Sequence, residues 1–349
     1  MTSDMRSTHE QPEHTRIPHE QSESAGGLSF EQTVPRSLAH RRCLGEVFIA
    51  DTAAVGAGEY LAAVQIPRAH LLWSDRPADC HDPLALVEAV RQTMTVVGHR
   101  YLNLPPGTAL SLQRAAVEIE DRSALHDDGV NPLEGIVRLR TDLTAGSAFL
   151  NEHGFTATVS VGGDAAVSFR GGGIAFPAEA YAELRRHQRD NRPPRAVGDD
   201  SPVVPVAPAR VGRRDTRNVV VGHGANGPEL VVDRRHPAFF DHPYDHVPGP
   251  LLLEGFRQAA LLAAGDETGD LDPAPVALEA DFTGFAEFGA PLVFTSRIDR
   301  DDEIDSAEVH LELAQFGVRI AGCRIDIATG SPESWRDPAP AAASRGDSR

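Results

Sequence analysis

The chain has 349 residues, 33 of them basic against 51 acidic, for a formal net charge of −18 at pH 7, and every basic residue is arginine. That acidity excludes a nonspecific nucleic-acid binder, whose affinity rests on neutralising phosphates, and the lack of lysine excludes Schiff-base chemistry on this chain. The three widely spaced cysteines Cys43, Cys80 and Cys323 form neither a disulfide framework nor a zinc pattern, no apolar run has the length of a membrane span, and the first residues lack the blocks of a signal peptide, so a cytoplasmic protein without membrane contact is expected.

In chain order, residues 1–31 are polar and rich in His, Glu, Gln and Ser, the composition of a disordered tail. Its histidines, His9, His14 and His19, read as solvated. Residues 46–50, 59–67 and 69–74 read as strands, and 83–97 as a buried helix. Alternation then marks strands at 109–120, 135–143, 155–161 and 164–169. Gly171-Gly172-Gly173 reads as a turn, and residues 178–188 as a short amphipathic helix closing a first unit, 32–188. Residues 189–207, rich in Pro, Arg and Asp, read as a linker. A second unit, 208–329, opens with strands at 217–222 and 229–232 and continues into a polar, aromatic loop. From Pro250 the chain is apolar almost all round, which predicts a buried helix. Strands follow at 276–285, 291–300, 308–314 and 319–328, and residues 330–349 read as a loose, disordered tail.

The loop at 236–249 carries His236, His242 and His246, Asp241 and Asp245, and Phe239 and Phe240. The helix after it is interrupted by Glu254, Arg257 and Gln258. Glu254 and Arg257 share a helical face, and such a pair on a buried helix is costly unless paired or used. The cassette also occurs earlier, where Glu88, Arg91 and Gln92 repeat that spacing and Asp82-Pro83 takes the place of Pro248-Gly249. His40-Arg41-Arg42 before residues 45–49 likewise matches Gly212-Arg213-Arg214 before residues 217–221. The chain is therefore an internal duplication of one α+β unit. Several strands around one apolar helix in each unit predict an antiparallel sheet wrapped around each helix, a tandem double hot dog.

Phe239-Phe240, His242, Pro248-Gly249, Leu251-Leu252-Leu253 and Glu254 stand in the order found in hot-dog hydroxyacyl-ACP dehydratases, a first resemblance. The loop after His242 is shorter here, so His246 is equally open for the histidine role. A closer resemblance, covering most of 34–328, rests on VPRSLAHRR at 34–42, the EAVRQ and EGFRQ helices, and DHPYDHVPGPLLLE. These resemble the A-factor biosynthesis family of γ-butyrolactone synthases. The resemblance implies an acyltransferase that condenses a β-ketoacyl chain from acyl carrier protein with dihydroxyacetone phosphate, the ester then cyclising to a butenolide phosphate in γ-butyrolactone or furan signal biosynthesis. No cofactor and no metal are expected.

The residues can be matched to that reaction. Glu254 is the candidate base, Arg257 or Arg91 the candidate phosphate ligand, and the amides after Gly249 the candidate oxyanion donors. Glu88 and Arg91 hold the duplicate position. The fold family brings loop histidine and helix carboxylate from opposite units, which pairs His242 or His246 with Glu88 and sets Glu254 against the first unit's loop. That loop keeps His81 but lacks Pro-Gly, so one of the two sites is expected to be degenerate. On this reading Glu254→Ala and Arg257→Ala abolish turnover without unfolding the chain. The bland alternatives are structural ion pairs at Glu88/Arg91 and Glu254/Arg257, surface roles for Arg41, Arg42, Arg213 and Arg214, turn roles for Asp241 and Asp245, and core or tunnel-wall roles for Phe239 and Phe240. The three loop histidines lack the flanking spacing of a zinc site. A dehydratase or thioesterase, or a silent acyl-binding relative, is the alternative function. Either the fused units satisfy the dimer within a monomer, or the chain pairs again as a homodimer.

Overall fold

The computed structural model describes residues 27–76, 79–143, 153–194, 202–268, 274–301 and 306–328. In the first unit these form β1 (Ile49–Gly56), β2 (Glu59–Ile66), α1 (Pro83–Tyr101), β3 (Ala109–Ile119), β4 (Leu133–Thr141), β5 (His153–Val161), β6 (Asp164–Phe176) and α2 (Ala178–Asp190). The second part of the chain forms β7 (Val204–Pro205), β8 (Val221–Gly224), β9 (Gly227–Leu230), α3 (Gly249–Thr268), β10 (Ala274–Phe282), β11 (Val293–Asp301), β12 (Ser306–Gln315) and β13 (Val318–Ala328).

All the strands join one antiparallel sheet in the order β1-β2-β4-β5-β6-β3-β10-β13-β12-β11-β9-β8-β7. β3 and β10, each the first strand after its unit's long helix, pair at the middle, from Ala277 opposite Glu118 to Asp281 opposite Arg114. The side-chain period of two puts one face of each strand inward. In β12, for example, Ala307, Val309, Leu311 and Leu313 are buried in alternation with half-buried or exposed neighbours. Those inward faces close on the helices: α1 packs against β1 to β6, and α3 against β8 and β10 to β13. The fold is a tandem double hot dog, its two halves joined edge to edge. Among the described residues no helix is long and apolar enough to cross a membrane.

α1 starts at Pro83 behind Asp82, whose carboxylate accepts from the Leu84 N–H at 3.0 Å, and has His99 and Arg100 in its last turn, an arrangement that satisfies one end and complements the dipole at the other. Several segments differ from expectation. Residues 71–74 are a turn rather than a strand: the His70 ring accepts the Leu72 and Trp73 amides, both at 3.2 Å, and the apolar side chains of Leu72 and Trp73 are buried without a ladder. Leu44–Glu46 and Thr216–Asn218 are short 3₁₀ turns, so β1 and β8 begin later than their apolar runs suggest. Gly171-Gly172-Gly173 lies inside β6, paired on both sides. A Cβ on Gly171 would stand 2.5 Å from the Phe155 ring and one on Gly173 2.6 Å from the Ser111 carbonyl, so the glycines admit close neighbours rather than a reversal. Of the tail expected at 1–31, residues 1–26 lie outside the described residues, while Leu28 and Phe30 pack with Ala50, Leu61 and Ala63. Within 189–207, Asp190 ends α2 and Val204–Pro205 pairs with β8, while 195–201 lie outside the described residues. Residues 329–349 also lie outside them.

Candidate active site

Each long helix carries the same polar frame. On α1, Glu88 accepts from Arg91 Nε and Nη2, both at 2.8 Å, from Gln92 Nε2 at 2.8 Å, and from Arg41 Nη2. On α3, Glu254 accepts from Arg257 Nε at 3.0 Å and Nη2 at 2.6 Å, from Arg213 Nε at 3.0 Å, and from Gln258 Nε2. The glutamine tethers the helix to the segment before the first strand of its unit. Gln92 donates to the Glu46 carbonyl at 2.8 Å and accepts from the Phe48 amide at 3.0 Å; Gln258 donates to the Asn218 carbonyl at 2.7 Å and accepts from the Val220 amide at 2.8 Å. Arg41 and Arg213 are therefore buried members of the frame, whereas Arg42 and Arg214 are exposed. In both copies burial pushes the carboxyl up, but the paired guanidiniums outweigh it and hold Glu88 and Glu254 below the usual carboxylate range. Burial likewise lowers Arg91 and Arg257, and their glutamates more than offset it. A carboxylate stabilised in this way is a weak base.

The loops that cover the frames are exchanged between units. Asp241 of the second unit accepts the Arg42 and Cys43 amides of the first at 2.6 and 2.9 Å; Asp75 of the first accepts the Arg214 and Asp215 amides of the second, both at 3.1 Å. Each loop thus lies over the other unit's Glu–Arg pair, and the two lids differ. Over Glu88 and Arg91, the second unit's loop brings Tyr244, His246, Val247, Pro248 and Gly249, and all of these line one cavity of about 390 Å³. The rest of its wall is largely apolar, with Leu84, Val87, Phe155 and Phe169 among its members. Arg91 keeps 31% of its side chain exposed there.

Over Glu254 and Arg257, the first unit's loop brings Asp82, with its Oδ2 3.4 Å from Arg213 Nη2 and 3.7 Å from Arg257 Nη1, and its Oδ1 3.5 Å from Arg76 Nη1. Arg213 Nη1 also donates to the Leu72 carbonyl at 2.7 Å. Glu254 is 0% and Arg257 4% exposed, and neither lines the cavity. Burial raises the Asp82 carboxyl, but Arg257, Arg76 and Arg213 outweigh it and hold it at about 2. Glu254 and Arg257, expected at the substrate, are thus enclosed away from the cavity. The extra acid at position 82 completes a closed ion cluster around them, while Glu88 and Arg91 keep the open face.

The loop histidines go to three places. His246 lies in the cavity wall, its Nδ1 2.7 Å from Asp245 Oδ1. Asp245 also accepts from Tyr181 Oη at 2.8 Å and from Arg185 Nε at 2.9 Å, and Arg185 Nη1 reaches Glu287 Oε1 at 2.7 Å. Tyr181 and the buried Arg185 belong to α2, so a first-unit helix clamps the second-unit loop. Burial raises the Asp245 carboxyl, and His246, Arg185 and Tyr181 together bring it well below the usual range. An imidazole that donates Nδ1–H to a carboxylate keeps its Nε2 lone pair for a proton. His242 instead lies against Tyr244, ring centroids 4.2 Å apart and planes tilted by 35°, and does not line the cavity; burial, then Arg41 and Arg91, lowers its pKa. His236 is structural: its Nε2 meets Asn218 Oδ1 at 2.9 Å and its Nδ1 accepts the Phe239 amide at 3.4 Å, and burial holds its pKa at about 4.

At the start of α3, the Leu251 and Leu252 amides turn back onto the Pro248 carbonyl at 3.0 and 3.2 Å, and Pro250 has no N–H. Of this turn's amides, that of Gly249 is the candidate oxyanion donor. Tyr244, Tyr181 and Arg185 escaped the sequence reading. Tyr244 stands inside the quoted loop motif. Tyr181, Leu184 and Arg185 share one face of α2 at helical spacing, and that pattern could have marked Arg185 as inward-facing.

The chain is similar to known proteins at the level of family. The family described as the A-factor biosynthesis hotdog domain matches residues 23–139 and 195–328. The chain is 30% identical over 269 residues to a 2-oxo-3-(phosphooxy)propyl 3-oxoalkanoate synthase of Streptomyces virginiae, covering 74% of this chain and 85% of that one. It is 30% identical over 291 residues to the synthase of the same name from Streptomyces griseus, covering 80% and 90%. Among solved structures, an acyl-ACP thioesterase from Bacteroides thetaiotaomicron aligns over 77% of this chain and 98% of its own, at 11% identity and a TM-score of 0.44. The chain belongs to the A-factor biosynthesis hotdog family.

Proposed function

We propose that this acyl-transferring enzyme joins a β-ketoacyl group, carried as a thioester on acyl carrier protein, to the hydroxyl of dihydroxyacetone phosphate in the cavity between Glu88–Arg91 and the second unit's loop. The relatives' name describes such an ester, a 3-oxoalkanoate of a phosphooxy-oxopropyl alcohol. The observation that carries the reading is the pairing, on one cavity wall, of an accessible guanidinium, Arg91, with a histidine held by a carboxylate, His246–Asp245. A guanidinium fork suits a phosphate, and the apolar wall suits an acyl tail.

In this reading His246 Nε2 takes the proton as the triose hydroxyl oxygen bonds to the thioester carbon. The carbonyl oxygen gathers charge against the Gly249 N–H. The C–S bond then breaks, and the proton passes from His246 to the departing thiolate. Asp245 holds the imidazole tautomer and steadies the imidazolium. Glu88, tied to donors from three residues, acts as the positioning residue for Arg91 rather than as the base. The test is thiol release from a β-ketoacyl thioester with and without dihydroxyacetone phosphate. Release that depends on the triose is expected. Release without it would assign a thioesterase instead, and no release would leave a dehydratase, which eliminates water with the thioester intact, or an acyl-binding relative.

A further inference from the structure

The duplication makes one position directly comparable between the two copies. Asp82 stands before α1 where Pro248 stands before α3, and each lies over the other unit's Glu–Arg pair. Asp82 is 1% exposed. One of its oxygens, Oδ1, caps α1 through the Leu84 amide at 3.0 Å. The other, Oδ2, makes no hydrogen bond; Arg213 Nη2, ion-paired with Glu254 Oε1 at 2.9 Å, lies 3.4 Å from it, and Arg257 Nη1 lies 3.7 Å from it. Arg76 adds a third guanidinium, 3.5 Å from Oδ1, at the position His242 holds in the other copy. A buried anionic oxygen between guanidiniums, close enough to neutralise them yet not hydrogen-bonded, occupies the place of a ligand oxygen. In the open copy the uncharged Pro248 leaves the corresponding guanidinium incomplete. Arg91 spends Nε and Nη2 on Glu88, its Nη1 has no carboxylate among the described residues, and the side chain is 31% exposed.

We infer that Asp82 is an internal anion standing in for the substrate phosphate at the Glu254–Arg257 copy, so that the chain holds a single phosphate site, at Arg91. The residue preceding each long helix decides whether a copy takes a ligand: proline leaves the cation free, aspartate satisfies it from within. This rests on the phosphate role proposed for Arg91, and it adds a stoichiometry and a switch position.

The test uses the full chain, with inorganic phosphate and dihydroxyacetone phosphate as probes in titration calorimetry. The wild type binds one per chain. Pro248→Asp copies the closed arrangement, and aspartate is a favoured residue before a helix, so the variant folds. It binds about tenfold or more weakly than Pro248→Asn, a neutral control of the same size, a factor corresponding to one charge-assisted hydrogen bond. Asp82→Asn lowers the melting temperature, and phosphate at constant ionic strength restores more of it than it adds to the wild type. Equal phosphate affinity in folded Pro248→Asp and Pro248→Asn overturns the inference, as does a wild type binding two per chain; either outcome leaves the proposed transfer standing. Single-site binding without triose-dependent thiol release sinks the proposed function and leaves the inference intact. A wild type that binds neither probe overturns both.

Discussion

Glu88–Arg91 and Glu254–Arg257 start from equivalent helices, α1 and α3, with the same spacing and matching partners: a buried arginine from before the first strand, a glutamine tether, and a lid from the opposite unit. They end differently because the lids differ. Tyr244, His246 and Pro248 leave Arg91 facing a cavity, whereas Asp82 with Arg76 closes over Arg257. An inward ion pair on a buried helix is therefore not a site in itself; what lies across from it makes it either a wall of a pocket or a fastening of the fold.

The sharpest way to break this comparison is to remove each glutamate in turn. Glu254→Ala leaves three guanidiniums around Asp82 alone, in a cluster whose glutamate is 0% exposed, and is expected to cost about 3–5 kcal/mol in urea unfolding, the penalty for breaking a buried pair. Glu88→Ala costs less, because Arg91 opens onto the cavity, yet it removes turnover by freeing Arg91 from its position. Equal stability losses in the two variants would contradict the difference between the copies. The loss expected at Glu254 is thus one of folding, where the sequence alone suggested loss of turnover in a folded chain.

The two loop histidines give the next comparison. His246→Gln is expected to lower kcat by about 10²–10⁴, the range of a lost general base, with little change in KM for the triose phosphate. His242→Gln, outside the cavity wall, changes it much less; the reverse order in steady-state kinetics would move the base to His242.

pH acts on the frames through two histidines, His236 buried and His40 half-buried. His236 supports Asn218 under the closed copy and His40 lies beside Arg91, and burial holds each at about 4 against an ordinary 6.5. Between those values the unfolded chain binds more protons than the folded one, so stability rises with pH across that window and is lost as pH falls through it. His236→Asn flattens the slope measured by chemical denaturation at pH 4 to 6.5; an unchanged slope would remove His236 from the account. The smallest effect is expected at Gly249→Ala. An added Cβ there meets nothing within 4 Å, so stability shifts by less than about 1 kcal/mol and the Gly249 amide remains as a donor.

The duplication, the antiparallel sheets and the two apolar helices were all legible from periodicity, because a helix apolar all round and strands of alternating burial leave few ways to pack. The cassette residues were legible too, as charged side chains in an apolar run. Which copy is open was not, because it depends on Asp82, a residue that reads locally as an ordinary helix cap and meets Arg257 only across the interface of the two units. Arg41 and Arg213 read either as surface residues or as phosphate or carrier-protein contacts, because their burial comes from long-range pairing with the glutamates. The turn at 71–74 misled for the converse reason: Leu72 and Trp73 are buried, but a histidine ring rather than a neighbouring strand satisfies their backbone.

The central claim is that Arg91, not Arg257, faces the substrate. The most direct test measures triose-dependent thiol release by Arg91→Gln and Arg257→Gln, each normalised to folded protein by thermal melting. The account predicts that Arg91→Gln loses kcat/KM for dihydroxyacetone phosphate by about a hundredfold while the folded fraction of Arg257→Gln keeps it. A folded Arg91→Gln enzyme working at the wild-type rate, beside an inactive but folded Arg257→Gln, would contradict it.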